Sequence, residues 1–124
     1  MIPAFTIRRT RALDWRAPLA VANGLKDRDG ALALLSDGGA LGRWSYVAAD
    51  PDAVEVIALS DSGRLDSLRQ PQWTTSVVGL LSYDAGARPA TGARPEVWPD
   101  LMLARYPSIL AFDHHSRTVE AIGH

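Results

Sequence analysis

The chain has 124 residues, 47% of them hydrophobic and 22% charged, with a formal net charge of −1. That size suits one compact domain with a modest core, and the near-neutral balance gives no broad field for nucleic acid or an anionic membrane. Cysteine is absent, which removes disulfides, thiolate metal sites and cysteine nucleophiles together.

At the amino terminus, Ala4 to Arg9 alternates Phe5 and Ile7 against Thr6 and Arg8, the period of a half-buried strand. No apolar run approaches the ~20 residues that span a bilayer. Arg8, Arg9 and Arg11 also arrive before any long apolar block, so no secretory signal is expected and a cytoplasmic location follows by default. Asp14 is a candidate N-cap for a helix from Trp15 to Leu25, with Pro18 in its first turn and Leu19, Ala22 and Leu25 near one face. Asn23-Gly24 weakens its end, and Asp27 to Gly30 reads as a loop. Lys26 is the only lysine and Asn23 the only asparagine.

Ala31 to Leu35 is uninterrupted apolar sequence, the pattern of a strand buried on both faces. Trp44 to Ala48 is a second strand, with Trp44 expected in the core. Pro51 biases Asp50 to an extended conformation and ends that strand. Ala53 to Leu59 is a third, and Asp61-Ser62-Gly63 reverses it into Arg64 to Leu68. After an exposed connection at Gln70 to Thr75, Val77 to Leu81 reads as a central strand ending in Ser82-Tyr83-Asp84. Ala85 to Pro99, rich in proline and glycine, reads as a long surface excursion. Leu101 to Tyr106 and Ser108 to Phe112 are strand-like; Asp113-His114-His115-Ser116 then turns the chain into Thr118 to Ile122. The fold class is α+β, mainly antiparallel β-sheet with one or two short helices.

Several chemistries fail on spacing. Gly38 and Gly42 enclose three residues, Arg43 stands where a phosphate loop has lysine, and a strand follows instead of a helix. Gly79 to Gly86 does not form Gly-x-Ser-x-Gly around Ser82. His114 and His115 sit at a predicted hairpin tip, where an exposed polar turn is expected in place of a metal site or general base. The four tryptophans, Trp15, Trp44, Trp73 and Trp98, are too dispersed for a base-stacking platform. Ser36-Asp37 and Ser82-Tyr83-Asp84 each end an apolar run. They converge on one ligand if their strands are neighbours running the same way; otherwise they cap strand ends.

Three ordered blocks resemble a known family. Leu34-Leu35-Ser36-Asp37, Gly42-Arg43-Trp44-Ser45-Tyr46 and Ala49-Asp50-Pro51 are similar to its "LLxS", "GR-aromatic-S-aromatic" and Asp/Glu-Pro pattern. Val78 to Asp84 with Arg88 resembles "GxxGYD…R", and Pro99-Asp100-Leu101 through Tyr106 to Phe112-Asp113-His114 resembles "PDL…Y…FDH". The family is component I of aminodeoxychorismate (para-aminobenzoate) synthase and anthranilate synthase, and the match covers its amino-terminal region. Asp-Gly-Gly after the first strand and Tyr-Asp-Ala-Gly-Ala-Arg in the second block lean towards the para-aminobenzoate branch.

The resemblance implies a non-catalytic domain whose partners are a carboxy-terminal chorismate-binding domain and a glutamine amidotransferase subunit. Magnesium is implied for the full-length enzyme, and no cofactor, catalytic residue or metal ligand for this chain. The para-aminobenzoate branch uses a catalytic lysine, and Lys26 lies outside every matched motif. The family's tryptophan site maps onto Leu35, Ser36, Asp37, Arg43, Trp44 and Ser45. Asp37 stands where serine is usual, and its carboxylate pairs with a ligand ammonium but repels a ligand carboxylate. Tryptophan is therefore expected to bind weakly or not at all. An apolar face covered by the partner domain is also expected, and with it self-association of the isolated chain. A free-standing small-molecule binding module remains the alternative of a different class.

Overall fold

A computed structural model describes residues 8–58, 76–83 and 99–123. Its contacts gather in two compact units, Met1–Pro51 with Tyr106–His124, and Asp52–Arg105, where chain length alone suggests a single core. Among the described residues the fold is mostly antiparallel β-sheet with a short helix, an α+β architecture as expected.

The first unit contains β1 (Arg9–Leu13), α1 (Pro18–Leu25), β2 (Leu32–Leu34), β3 (Trp44–Ala48), β7 (Ser108–Asp113) and β8 (Thr118–Gly123). Its sheet has the order β1-β8-β7-β3-β2, with every neighbouring pair antiparallel. Alternation along β3 turns Ser45 and Val47 to one face and Trp44 and Tyr46 to the other. Ser45 lies opposite Phe112, and Phe112 opposite Val119. Val47, Phe112 and Val119 form the buried core, against which Trp15, Val21, Ala22 and Leu25 pack. Phe112 is 0% exposed, and the Trp15 ring meets it edge-on at 6.0 Å.

Local chemistry explains where this unit departs from the expected elements. α1 begins at Pro18, later than Trp15, because Pro18 occupies its first position and Ala17 stands at the N-cap with extended geometry. Asp14 is therefore not the cap. Leu19 is exposed, and Val21 takes its expected place beside Ala22 and Leu25. Among the described residues β2 pairs with β3 alone and lies at the edge of the sheet, and Leu34 and Leu35 are exposed. A short apolar run does not distinguish an edge strand from one buried on both faces. Trp44 is likewise outside the core. Asp50 is left-handed, at φ +56°, not extended. Aspartate tolerates that region, and here the Asp50 N–H donates to Asp29 O at 2.8 Å while its carboxylate pairs with Arg28. The first strand runs Arg9–Leu13, whereas the expected stretch before residue 8 lies outside the described residues.

The second unit holds β4 (Ala53–Ile57), β5 (Val77–Leu81) and β6 (Leu101–Arg105) in the antiparallel order β4-β6-β5. Among the described residues β6 is the central strand and β5, expected to be central, pairs with β6 alone. Leu101 and Leu103 are buried, with Ala53, Ile57 and Val77 packed against them. Asp52 and Arg105 close one end through an ion pair at 2.8 Å and the Asp52 N–H to Arg105 O bond at 2.9 Å. The Asp61-Ser62-Gly63 turn, the strand at 64–68, the connection at 70–75 and the excursion at 85–98 lie outside the described residues.

Candidate functional site

The first and third motif blocks meet at the start of β3. The loop from β2 to β3 spans residues 35–43, and the turn from β7 to β8 spans residues 114–117. Because β3 and β7 are paired with Trp44 opposite Asp113, the start of one and the end of the other coincide. The loop and the turn therefore emerge side by side.

Arg43 and Asp113 clasp there. Arg43 Nη2 donates to Asp113 Oδ2 at 2.8 Å, and Nε donates to both carboxylate oxygens at 3.1 and 3.2 Å. The Asp113 side chain is 6% exposed, and its Oδ1 also accepts the backbone N–H groups of His115 and Ser116. Hydrogen bonding from Arg43 holds the Asp113 carboxyl well below the usual carboxylate range. Burial opposes this and the Ser116 and His115 donors reinforce it. Arg43 is correspondingly pushed up. The guanidinium lies 5.1 Å from the Trp44 ring centre, and Trp44 stacks on Tyr46 at 6.4 Å.

A second tie runs beneath the first. Ser45 is 0% exposed. Its hydroxyl accepts the Ser36 N–H at 2.9 Å and shares a hydrogen bond of 2.7 Å with His114 Nε2. The His114 N–H donates to Arg43 O at 2.8 Å, and the imidazole meets the Trp15 ring edge-on at 5.6 Å. The turn is polar and exposed at His115, Ser116 and Arg117 as expected, but His114 within it is half-buried and anchored. His115 Nε2 donates to Gly39 O at 3.1 Å, which fastens the tip of the loop to the turn.

Within the loop, Asp37 Oδ1 accepts the Gly39 N–H at 2.7 Å and crowds the space a side chain at Gly42 would need. Gly38, at φ +80°, and the bonds from Gly38 N–H to Gly42 O and from Gly42 N–H to Gly39 O complete the turn. The Asp37 carboxylate is thereby used by its own loop. A shallow hollow of about 420 Å³ lies over Ser36, Asp37 and the glycines.

Of the residues singled out from sequence, the structure joins Ser36 to Ser45 and gathers Asp37, Arg43 and Ser45 around one loop. Leu35 and Trp44 are exposed beside it. Trp15, Asp113 and His114 complete the constellation. Asp113 and His114 stand in the third block, but Trp15 carries no motif and only the tertiary fold brings it in. Ser36 and Ser82 end strands of different sheets, so the strand adjacency needed for their convergence is absent, and Asp84 lies outside the described residues. Among the described residues no group of three or more His, Cys, Asp or Glu is placed to hold a metal ion, and no helix is long and apolar enough to cross a membrane.

Tyr106 of the third block adds a further tie in the same unit. Its hydroxyl donates to Gly30 O at 2.8 Å, in the turn before β2, and burial pushes its phenol above the ordinary value. In comparisons with known proteins, no family model matches this chain and no curated protein matches it.

Proposed function

We propose that this chain is the amino-terminal, non-catalytic domain of component I of an aminodeoxychorismate synthase. The complete subunit aminates chorismate to 4-amino-4-deoxychorismate, on the route to para-aminobenzoate and folate, with magnesium and the catalytic residues in its carboxy-terminal domain. A glutamine amidotransferase subunit supplies the ammonia. The observation that carries this reading is the Arg43–Asp113 clasp. It joins the "GR-aromatic-S-aromatic" block to the "FDH" block, 70 residues apart, side chain to side chain. Matched residues that lock together in space form a constellation, which scattered coincidences of sequence do not.

In this role the domain is a scaffold with a ligand loop. The loop and the start of β3, with Leu35, Ser36, Asp37, Arg43, Trp44 and Ser45, are where the resemblance places that family's tryptophan site, and Asp37 departs from the family's serine. With its carboxylate turned onto Gly39 and over Gly42, Asp37 puts a negative charge where an amino-acid carboxylate would approach. Tryptophan is expected to bind weakly. Asp37→Ser keeps an oxygen for the Gly39 N–H and removes the charge, so calorimetry is expected to show tighter tryptophan binding in that variant. Leu34 and Tyr46, directly paired, and Trp44 are exposed on one sheet face, which supports self-association of the chain on its own.

The deciding assay supplies the complete subunit with chorismate, ammonia and magnesium. The expected product is 4-amino-4-deoxychorismate, and the chain alone is expected to turn over no chorismate. Release of anthranilate would move the protein to the tryptophan branch, and turnover by the chain alone would overturn the non-catalytic assignment.

A further inference from the structure

The two outer strands of the first unit's sheet differ in chemistry. β1 carries Arg9 and Arg11, and charge along an outer strand guards it against pairing with another chain. β2 has no such guard: Ala31-Leu32-Ala33-Leu34-Leu35 holds no charge and no proline. Ala31, Ala33, Leu34 and Leu35 are exposed, and among the described residues no strand pairs with the outer side of β2.

Such an edge offers backbone N–H and C=O groups to one further strand, and its own sequence suits it to a second copy of itself. Leu32 and Leu34 share the sheet face of Tyr46, while Ala33 lies on that of Val47. A two-fold axis through Ala33, normal to the sheet, sets β2 antiparallel to a second β2. Ala33 then faces its own copy, and each Leu32 lies opposite the other copy's Leu34. Leucine meets leucine on the open face, and alanine alone stands at the axis on the face where α1 packs against β2. The same operation at β1, about Arg11, sets arginine against arginine.

A second observation comes from the two ends of β2. The loop after it presents Leu41 fully exposed near its tip, on a frame held by the Gly38–Gly42 and Gly42–Gly39 bonds and by His115. At the start of β2 lies an open apolar hollow of about 270 Å³, lined in part by Ala22, Leu25, Ala31 and Leu32. In an antiparallel pair the end of one β2 lies beside the start of the other. Each Leu41 loop is thereby carried to the hollow of the partner copy.

We propose that this chain forms a two-fold dimer through its β2 edges. The two five-stranded sheets join into one, and each Leu41 loop covers the start of the other copy's β2. A two-fold closes after two copies. The contact uses the strand edge, not the Trp44–Tyr46 face, and does not depend on the motif resemblance.

The chain has no cysteine, so one introduced thiol reports the contact. Ala33→Cys, on the axis, sets two thiols within bridging reach. Under mild oxidation it is expected to form covalent dimer about tenfold faster than Ala12→Cys in β1, because pairing raises the local thiol concentration. Sedimentation of the unaltered chain from about 10 μM to 1 mM is expected to show monomer and dimer only, with a Kd of about 0.1 mM, the weak range for a small contact. Amide exchange across residues 31–35 is expected to slow as dimer forms, and Leu41→Ser to weaken the dimer about tenfold. Positions 12, 33 and 41 are exposed, so the variants keep the fold. The proposal is overturned by a chain that stays monomeric at about 1 mM, by growth beyond the dimer, by equal cross-linking of the two cysteine variants, or by an affinity unchanged in Leu41→Ser. Association without slower exchange at residues 31–35 also overturns it, and assigns the contact to the Trp44–Tyr46 face.

Discussion

The Ser45 hydroxyl ties the start of the β2–β3 loop to the β7–β8 turn, receiving the Ser36 N–H and meeting His114 Nε2. Ser45→Ala leaves both groups without that partner in a site closed to water, and unfolding in denaturant is expected to show a loss of about 1–3 kcal/mol. Asp113 gives a prediction in pH. Its folded pKa lies below the ordinary carboxylate value, so the native state favours its ionised form. The resulting stabilisation is complete above the unfolded value of about 3.9 and is lost as pH falls through the lower folded one. Thermal midpoints measured from about pH 6 down to pH 2 are expected to fall less steeply in Asp113→Asn than in the unaltered chain. Equal slopes would remove the Arg43 clasp as a source of acid sensitivity.

Among the elements, β3, β7 and β8 follow closely from sequence because alternation, a polar turn and β-branched residues agree there. β2 and β5 are legible as strands, but their neighbours among the described strands are not. A run such as Ala-Leu-Ala-Leu-Leu carries no mark of which edge is paired, and that depends on neighbours far along the chain. The candidate loop was legible through its motif residues. The role of His114 was not, since its Trp15 contact joins residues near opposite ends of the sequence. α1 starts at Pro18, three residues past the expected Trp15, because proline itself occupies the first helical position. Near its other end, Gly24 has nothing within reach of an added methyl group. Gly24→Ala lowers the freedom of the unfolded chain at no steric cost, so a stabilisation of about 0.4–1 kcal/mol is expected in thermal or denaturant unfolding.

At the scale of the whole molecule, the chain leaves the first unit after Pro51 and returns to it at Tyr106. The strands on either side of that departure, β3 and β7, are paired with each other, Ala48 lying opposite Ile109. Topologically, the first unit is a five-stranded sheet with a β3–β7 hairpin, and residues 52–105 are spliced into the tip of that hairpin. Joining Pro51 directly to Tyr106 leaves Ala49, Asp50, Pro51, Tyr106 and Pro107 as the connection, an ordinary length for a hairpin loop. Such a shortened protein retains Trp15 and Trp44 as its only tryptophans. It is expected to keep antiparallel-sheet circular dichroism and a cooperative fluorescence transition reporting Trp15 against Phe112; a featureless melt would contradict this. The paired strands make the first unit a host and the second a guest: the register that holds Arg43 against Asp113 is set by strands on either side of the insertion, within the first unit itself.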